Sequence, residues 1–145
     1  MGNETASGRP LEVELEFEAK TYDIDFAGIV SNIVYIRWLE DLRLEMLRQR
    51  FPLDAQEMEG VHPLLIRTEV DYRKAVRYGE HLQGRMWVAK GGRVRWTLQA
   101  EFIVDGAVAA EARQVGLFVM EDTGKPVRVP AALQKALEDV ESGSA

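Results

Sequence analysis

The sequence predicts an α+β fold: one long central helix wrapped by a curved antiparallel sheet of about five strands, closed by a short C-terminal helix. Three observations predict it. From Ile33 to about Arg50, apolar residues recur at helical spacing, with Ile33, Ile36 and Leu39 beside Tyr35, Trp38, Leu42 and Met46. One segment before that run and four after it carry strand patterns. Gly91-Gly92 and Asp105-Gly106 are tight-turn dipeptides, and tight hairpins force antiparallel neighbours.

Taken in order, residues 1–9 are polar and read as a loose tail. "LEVELEFE" then alternates Leu11, Val13, Leu15 and Phe17 against four glutamates, the pattern of a strand with one wet face. The long helix follows, apolar over much of its circumference and so expected to be wrapped by other structure. Pro52 fits its stop. "DAQEMEGVHP" reads as a loop, and "LLIRTEVDYRKAV", "LQGRMWVAK", "RVRWTLQAEFIV" and "AVAAEARQVGLFVM" as strands. "EDTGKP" is a turn. "PAALQKALEDV" is a short helix with Pro130 in its first turn, and residues 141–145 read as a second loose tail. With no internal repeat and no linker, residues 1–145 read as a single domain.

Composition narrows the function classes. The chain has 145 residues, enough to bury a core without covalent staples. It has no cysteine, which excludes disulfides, thiolate nucleophiles and cysteine metal sites and makes cytoplasm the expected location. No apolar run is long enough to span a bilayer, so no membrane role is expected. A net charge of −6 argues against general nucleic-acid binding, which needs a basic surface.

The stretch "TYDIDFAGIVSNIVYIRWLEDLR" carries the chemistry. Asp25-Phe26-Ala27-Gly28 ends an extended segment, and Ser31 or Asn32 suits a helix N-cap. A helix start exposes amide hydrogens with partial positive charge, and Gly28 lets another molecule come close. An acyl oxygen could rest on those amides while a carboxylate approaches its carbon. Equally, aspartates are common in turns before helices and cap them. The residues alone leave both readings open.

The same stretch resembles the signature of the 4-hydroxybenzoyl-CoA thioesterase branch of the hotdog-fold superfamily. The shared features are Asp-x-Asp-x-x-Gly-x-Val, a polar pair, Tyr, an aromatic, and an acid followed by Arg43. "VDYRKAVRYGEHL" is similar to a later strand-and-turn motif of that family. The resemblance covers roughly residues 11–120. It implies a helix wrapped in an antiparallel sheet, a homodimer or homotetramer with active sites at the subunit interface, and hydrolysis of an acyl-CoA substrate. It implies Asp25 as the catalytic carboxylate and backbone groups near Asn32, with Ser31 and Gly28, as the oxyanion site. No metal and no cofactor beyond the CoA of the substrate are implied.

Aspartic acid in water titrates at about 3.9, so a carboxylate is the expected form at pH 7. It can attack the thioester carbon to give an anhydride, or activate a water as general base. No Gly-x-Ser-x-Gly elbow is present, which argues against a serine hydrolase. Asp23 reads better as a turn residue, and Trp38 as core. Tyr35 matches a position kept aromatic near the site, and His62 one kept polar near the acyl group; each is a candidate substrate contact. Glu40 or Asp41 with Arg43 could form an interface ion pair, or lie on a solvated helix face. Lys90, Arg93 and Arg95 flank Gly91-Gly92 and suit the phosphates of coenzyme A, with Lys74 and Arg77 weaker candidates. The rival functions are a thioesterase for acyl-carrier-protein substrates and a non-catalytic acyl-CoA-binding module.

Overall fold

The computed structural model describes residues 8–143. The expected tails therefore fall mostly outside the described residues, at residues 1–7 and 144–145. Arg9, expected in the loose tail, is instead held: its guanidinium lies 3.8 Å from the Trp87 ring centre and bonds Glu12 and Glu101. At the other end the helix continues through Gly143, past the expected fraying point.

The elements run β1 (Val13–Glu18), α1 (Asn32–Arg50), α2 (Leu53–Glu59), β2 (Val61–Tyr72), β3 (His81–Lys90), β4 (Arg95–Val104), β5 (Ala107–Met120), β6 (Pro126–Val127) and α3 (Ala131–Gly143). The sheet has the order β1-β3-β4-β5-β2, every pair antiparallel, with β6 added to β5. α1 packs across its inner face. This is the α+β arrangement expected, a long helix in a curved antiparallel sheet, and it is the hotdog fold.

Three details differ from the sequence reading. α2 replaces the expected loop: Pro52 sits at its N-cap, and Gly60 ends it at φ 68°. Only glycine adopts that left-handed conformation without cost. β2 consequently begins at Val61. β6 is two residues long, too short for any alternation to reveal. β1 starts at Val13 because Leu11 has φ 57°, which breaks the alternation there; Glu12 is consequently buried, not wet.

α1 is covered on one side only. Val34, Tyr35, Trp38, Leu39, Leu42, Met46 and Leu47 are buried. Ile33, Ile36 and Leu44 stay exposed, so the wrapping covers less of the circumference than the apolar spacing suggests. One sheet can cover only one stripe of a helix, and the far stripe is charged, with Glu45 bonded to Arg48 one turn on. Trp38 is core, its ring stacked on Phe17 at 5.1 Å. Phe17 in turn fills the space over Gly84, where an added Cβ would lie 2.6 Å from its ring. A glycine in mid-strand is required there by packing.

Arg43 is nearly buried and is shared. It bonds Glu40 one turn back and donates at 3.2 Å to the Gln114 amide oxygen on β5. Gln114 donates to Thr68 on β2, so this chain ties α1 to the edge of the sheet.

Candidate active site

The loop before α1 is built by its two aspartates in different ways. Asp23 is buried; its carboxylate accepts the Lys20 amide at 2.8 Å and its carbonyl accepts the Ser31 amide at 2.9 Å. It is a turn residue, as the sequence suggested. Asp25 begins a tight reversal, with Gly28 N–H donating to its carbonyl and its own N–H to the Ile29 carbonyl, both at 2.9 Å. Gly28 has φ 80°, which explains the glycine by conformation. The loop is pinned from outside by Val30 N–H on the Val76 carbonyl at 2.8 Å.

Within this loop the Asp25 carboxylate is oriented by its own backbone. Oδ1 accepts Ala27 N–H at 2.9 Å and Ile29 N–H at 3.4 Å. Oδ2 takes no hydrogen bond from any described residue. The side chain is half-buried.

The amides expected as oxyanion donors divide sharply. Gly28 N–H and Ser31 N–H are spent inside the loop, so neither is available to a substrate. The reversal that Gly28 makes possible uses its own donor. Ser31 occupies the N-cap position of α1, but its hydroxyl makes no cap bond. Asn32 and Ile33 N–H have no acceptor among the described residues, and Val34 N–H is taken by the Ser31 carbonyl. The open donors at the helix start are therefore Asn32 and Ile33.

A cavity of about 240 Å³ adjoins them, lined by Ile29, Val30, Asn32, Tyr35, Tyr72 and the segment 73–76. Tyr35 is 3% exposed, its ring held edge-on by Trp38, Tyr72 and Phe102 at 5.3–5.4 Å. Burial first, then the neighbouring Tyr72 and Glu80, pushes its phenol up to about 12. Tyr72 donates to the Asn32 carbonyl at 3.2 Å, and burial raises its phenol as well. Lys74, weighed as a phosphate contact, lines this small cavity instead.

The remaining expected contacts are elsewhere in the protomer. His62 is exposed at the opposite end of β2 from Tyr72, roughly 33 Å away at the usual rise per strand residue. Lys90, Arg93 and Arg95 lie at that same far end. There α3 and the segment just before it dock on the β3–β4 hairpin, through Gln134 Nε2 on the Gly92 carbonyl and Val129 N–H on the Arg93 carbonyl. A cavity of about 740 Å³ opens beside them, lined by Arg93, Arg128 and Lys135, by the carboxylates Glu59 and Glu138, and by an apolar floor that includes Val61 and Met120. Lys90 and Arg93 also line an adjoining cavity of about 520 Å³. Arg128 and Lys135 escaped the sequence reading, because only folding brings α3 against the hairpin. Within a protomer, then, Asn32 and Tyr35 line one cavity, Asp25 sits in the loop leading into that helix start without lining the cavity, and His62, Lys90, Arg93 and Arg95 lie at the other end.

Comparison with known proteins agrees with this architecture. The family model of the Thioesterase-like superfamily matches residues 19–137. A protein of Aquifex aeolicus (strain VF5) named "Putative esterase" is 27% identical over 119 residues, 81% of this chain and 91% of that one. Among solved structures, the DHNA-CoA thioesterase of Staphylococcus aureus superposes with a TM-score of 0.82 at 25% identity, over 92% of this chain and 93% of that one. A thioesterase of Thermus thermophilus, complexed with coenzyme A and Zn, gives a TM-score of 0.78 at 24% identity, over 94% and 97%; it speaks to the fold. The chain therefore belongs to the Thioesterase-like superfamily and is a thioesterase of the hotdog fold.

Proposed function

We propose that this thioesterase hydrolyses an acyl-CoA, with Asp25 as the reacting carboxylate and the Asn32 N–H as oxyanion donor. The single observation carrying this reading is the pairing of unspent groups at one helix start. Asp25 keeps Oδ2 free while Oδ1 is locked by its own loop, and Asn32 N–H is open where the neighbouring amides are not. A free carboxylate oxygen in the loop that leads into a helix start, with a free donor at that positive end, suits acyl transfer.

Asp25, or a water it deprotonates, adds to the thioester carbon, and the carbonyl π electrons move onto oxygen. Asn32 N–H holds that oxyanion. Its collapse re-forms C=O and expels the CoA thiolate, which takes the proton Asp25 removed from water or, after direct attack, one from solvent. If Asp25 adds directly, water then hydrolyses the anhydride and returns the carboxylate.

The site requires a second copy of the chain. β2 ends the sheet order, so the outer edge of a strand of 12 residues is open, with Leu64 and Ile66 exposed along it. Antiparallel pairing of two such edges about a two-fold axis sets the Val61 end of one against the Tyr72 end of the other. His62 and the basic cluster of the partner copy then approach the loop of Asp25. Arg93, Arg128 and Lys135 meet no carboxylate in ion-pair contact among the described residues, on a protein of net charge −6. They suit the pyrophosphate and 3′-phosphate of coenzyme A. We place the reaction in the cytoplasm, in keeping with the cysteine-free sequence.

The test is free-thiol release from acetyl-, hexanoyl-, palmitoyl- and benzoyl-CoA by wild type and Asp25→Asn, beside matched acyl-carrier-protein thioesters. The expected result is turnover of CoA thioesters by wild type and at least a hundredfold loss in the variant (about 3 kcal/mol of barrier) with an unchanged circular dichroism spectrum. Equal rates in the two would remove Asp25 from the mechanism. Binding without turnover by wild type would make the protein a sensor.

A further inference from the structure

We propose that the Tyr35 hydroxyl is a second hydrogen-bond donor to the thioester carbonyl oxygen, completing with Asn32 N–H a two-donor oxyanion site. The inference rests on the reading of Asp25 and Asn32 given above.

Tyr35 is a core residue by burial, yet its polar atom is not part of the core's bonding. The ring is 3% exposed and gripped by Trp38, Tyr72 and Phe102. The hydroxyl makes no hydrogen bond to any described residue. It is not sealed in either, since the only enclosed side-chain nitrogen or oxygen without a partner among the described residues is Arg50 Nε. A buried phenol without a partner that still meets open space must meet it in the cavity its residue lines, the one beside Asn32. Buried hydroxyls usually find a protein partner, so one turned to a cavity is placed for a ligand.

Direction supports the same target. Tyr35 follows Asn32 by three residues, so the two share a face of α1. Side chains on a helix lean toward its N-terminus, over the preceding turn. The ring therefore leans back toward the turn whose amides are open. The rest of the lining is mixed: Ile29, Val30, Ala75 and Val76 are apolar, while Tyr72, Arg73 and Lys74 are polar, the first two already bonded to the Asn32 carbonyl and to Glu111. Tyr72 is not equivalent, because its hydroxyl already donates to the Asn32 carbonyl.

The phenol keeps its proton throughout. With its pKa pushed up to about 12, Tyr35 is neutral across the working range and acts only as a donor. No proton passes to the oxyanion and no bond to Tyr35 forms. Three packed aromatic neighbours fix the ring in advance, so little reorganisation accompanies the growth of charge.

Tyr35→Phe removes the oxygen and keeps the ring. On the same four acyl-CoA substrates, kcat should fall by about 100-fold whatever the acyl group, with KM within about twofold, as for loss of one oxyanion donor. A purely structural role predicts a lower melting temperature without that split. A second measurement does not depend on turnover. Benzoyl-CoA labelled with ¹³C at the carbonyl is bound to Asp25→Asn and to Asp25→Asn/Tyr35→Phe, and the carbonyl stretch is read by difference infrared spectroscopy. The stretch should move to higher frequency in the double variant. An unchanged kcat in Tyr35→Phe, or identical stretches, overturns the inference. If Tyr35→Phe is active while Asp25→Asn is dead, only this inference fails; if Asp25→Asn is fully active, the reading beneath it fails as well.

Discussion

The Tyr72 hydroxyl donates to the Asn32 carbonyl oxygen at 3.2 Å, joining the last residue of β2 to the first residue of α1. The bond fixes the peptide whose neighbouring amide is left open to a substrate. Because β2 is also the free edge of the sheet, whatever docks on that edge bears directly on the helix start. Tyr72→Phe should therefore cost little stability, about 1 kcal/mol or less for a half-exposed bond. It should cost kcat more than that figure implies. Chemical denaturation measured beside thiol release separates the two, and parallel losses would deny Tyr72 any role in orienting the helix start.

Gly28 offers a second separation. Nothing lies within 4 Å of a Cβ added there, so the only penalty for a side chain is the left-handed backbone at φ 80°. Gly28→Ala should cost about 1–2 kcal/mol of stability, and Gly28→Asn less, since asparagine tolerates that conformation. Both residues carry the N–H that closes the loop onto Asp25, so activity should follow the same order, Gly above Asn above Ala. Thermal melts and steady-state rates on the three proteins check it. An alanine variant as active as wild type would mean that the reversal does not position the carboxylate.

The basic cluster at the far end of the protomer makes a prediction about substrate form. Arg93→Ala combined with Arg128→Ala should raise KM for an acyl-CoA about tenfold or more, with kcat nearly unchanged, since charge-assisted bonds to phosphate contribute about 1.5 kcal/mol or more each. The same acyl group on N-acetylcysteamine, which has no phosphate, should show no change. Equal effects on both substrates would place the nucleotide elsewhere.

Alkaline pH should reveal the buried phenol. A tyrosine whose folded value is raised to about 12 from an ordinary 10 is favoured in its neutral form by folding. Its stabilising contribution is whole below about pH 10 and is lost as pH climbs from there toward 12. Wild type should thus lose stability over that window more steeply than Tyr35→Phe, as read from urea midpoints at a series of pH values. Coincident curves would show that Tyr35 ionises as freely in the folded protein as in the unfolded chain.

Much of the fold was legible because its signals are local. Alternation exposed the strands, apolar spacing exposed α1, and Asp105-Gly106 exposed its hairpin, where the structure places φ values of 50° and 79°. α2 was legible too and was missed: Pro52 and Gly60 bracket it, but seven residues carry too little periodicity to outweigh a loop reading. The loop of Asp25 was legible as a turn before a helix. Which of its amides remain free was not, because that depends on where Asp23 and Asp25 send their carbonyls.

What the sequence by itself determined was the order and type of the elements and the carboxylate at the mouth of the long helix. These follow from backbone preference and side-chain period, which act over a few residues. Tertiary structure alone decided that Ser31 and Gly28 spend their donors while Asn32 does not, that Tyr35 lines a cavity with its hydroxyl unpaired among the described residues, and that Arg128 and Lys135 join Arg93. It also set His62 and the basic residues at the opposite end of β2 from Asp25. Those relations join residues far apart along the chain, and only the packed sheet and helix bring such groups within reach of one another.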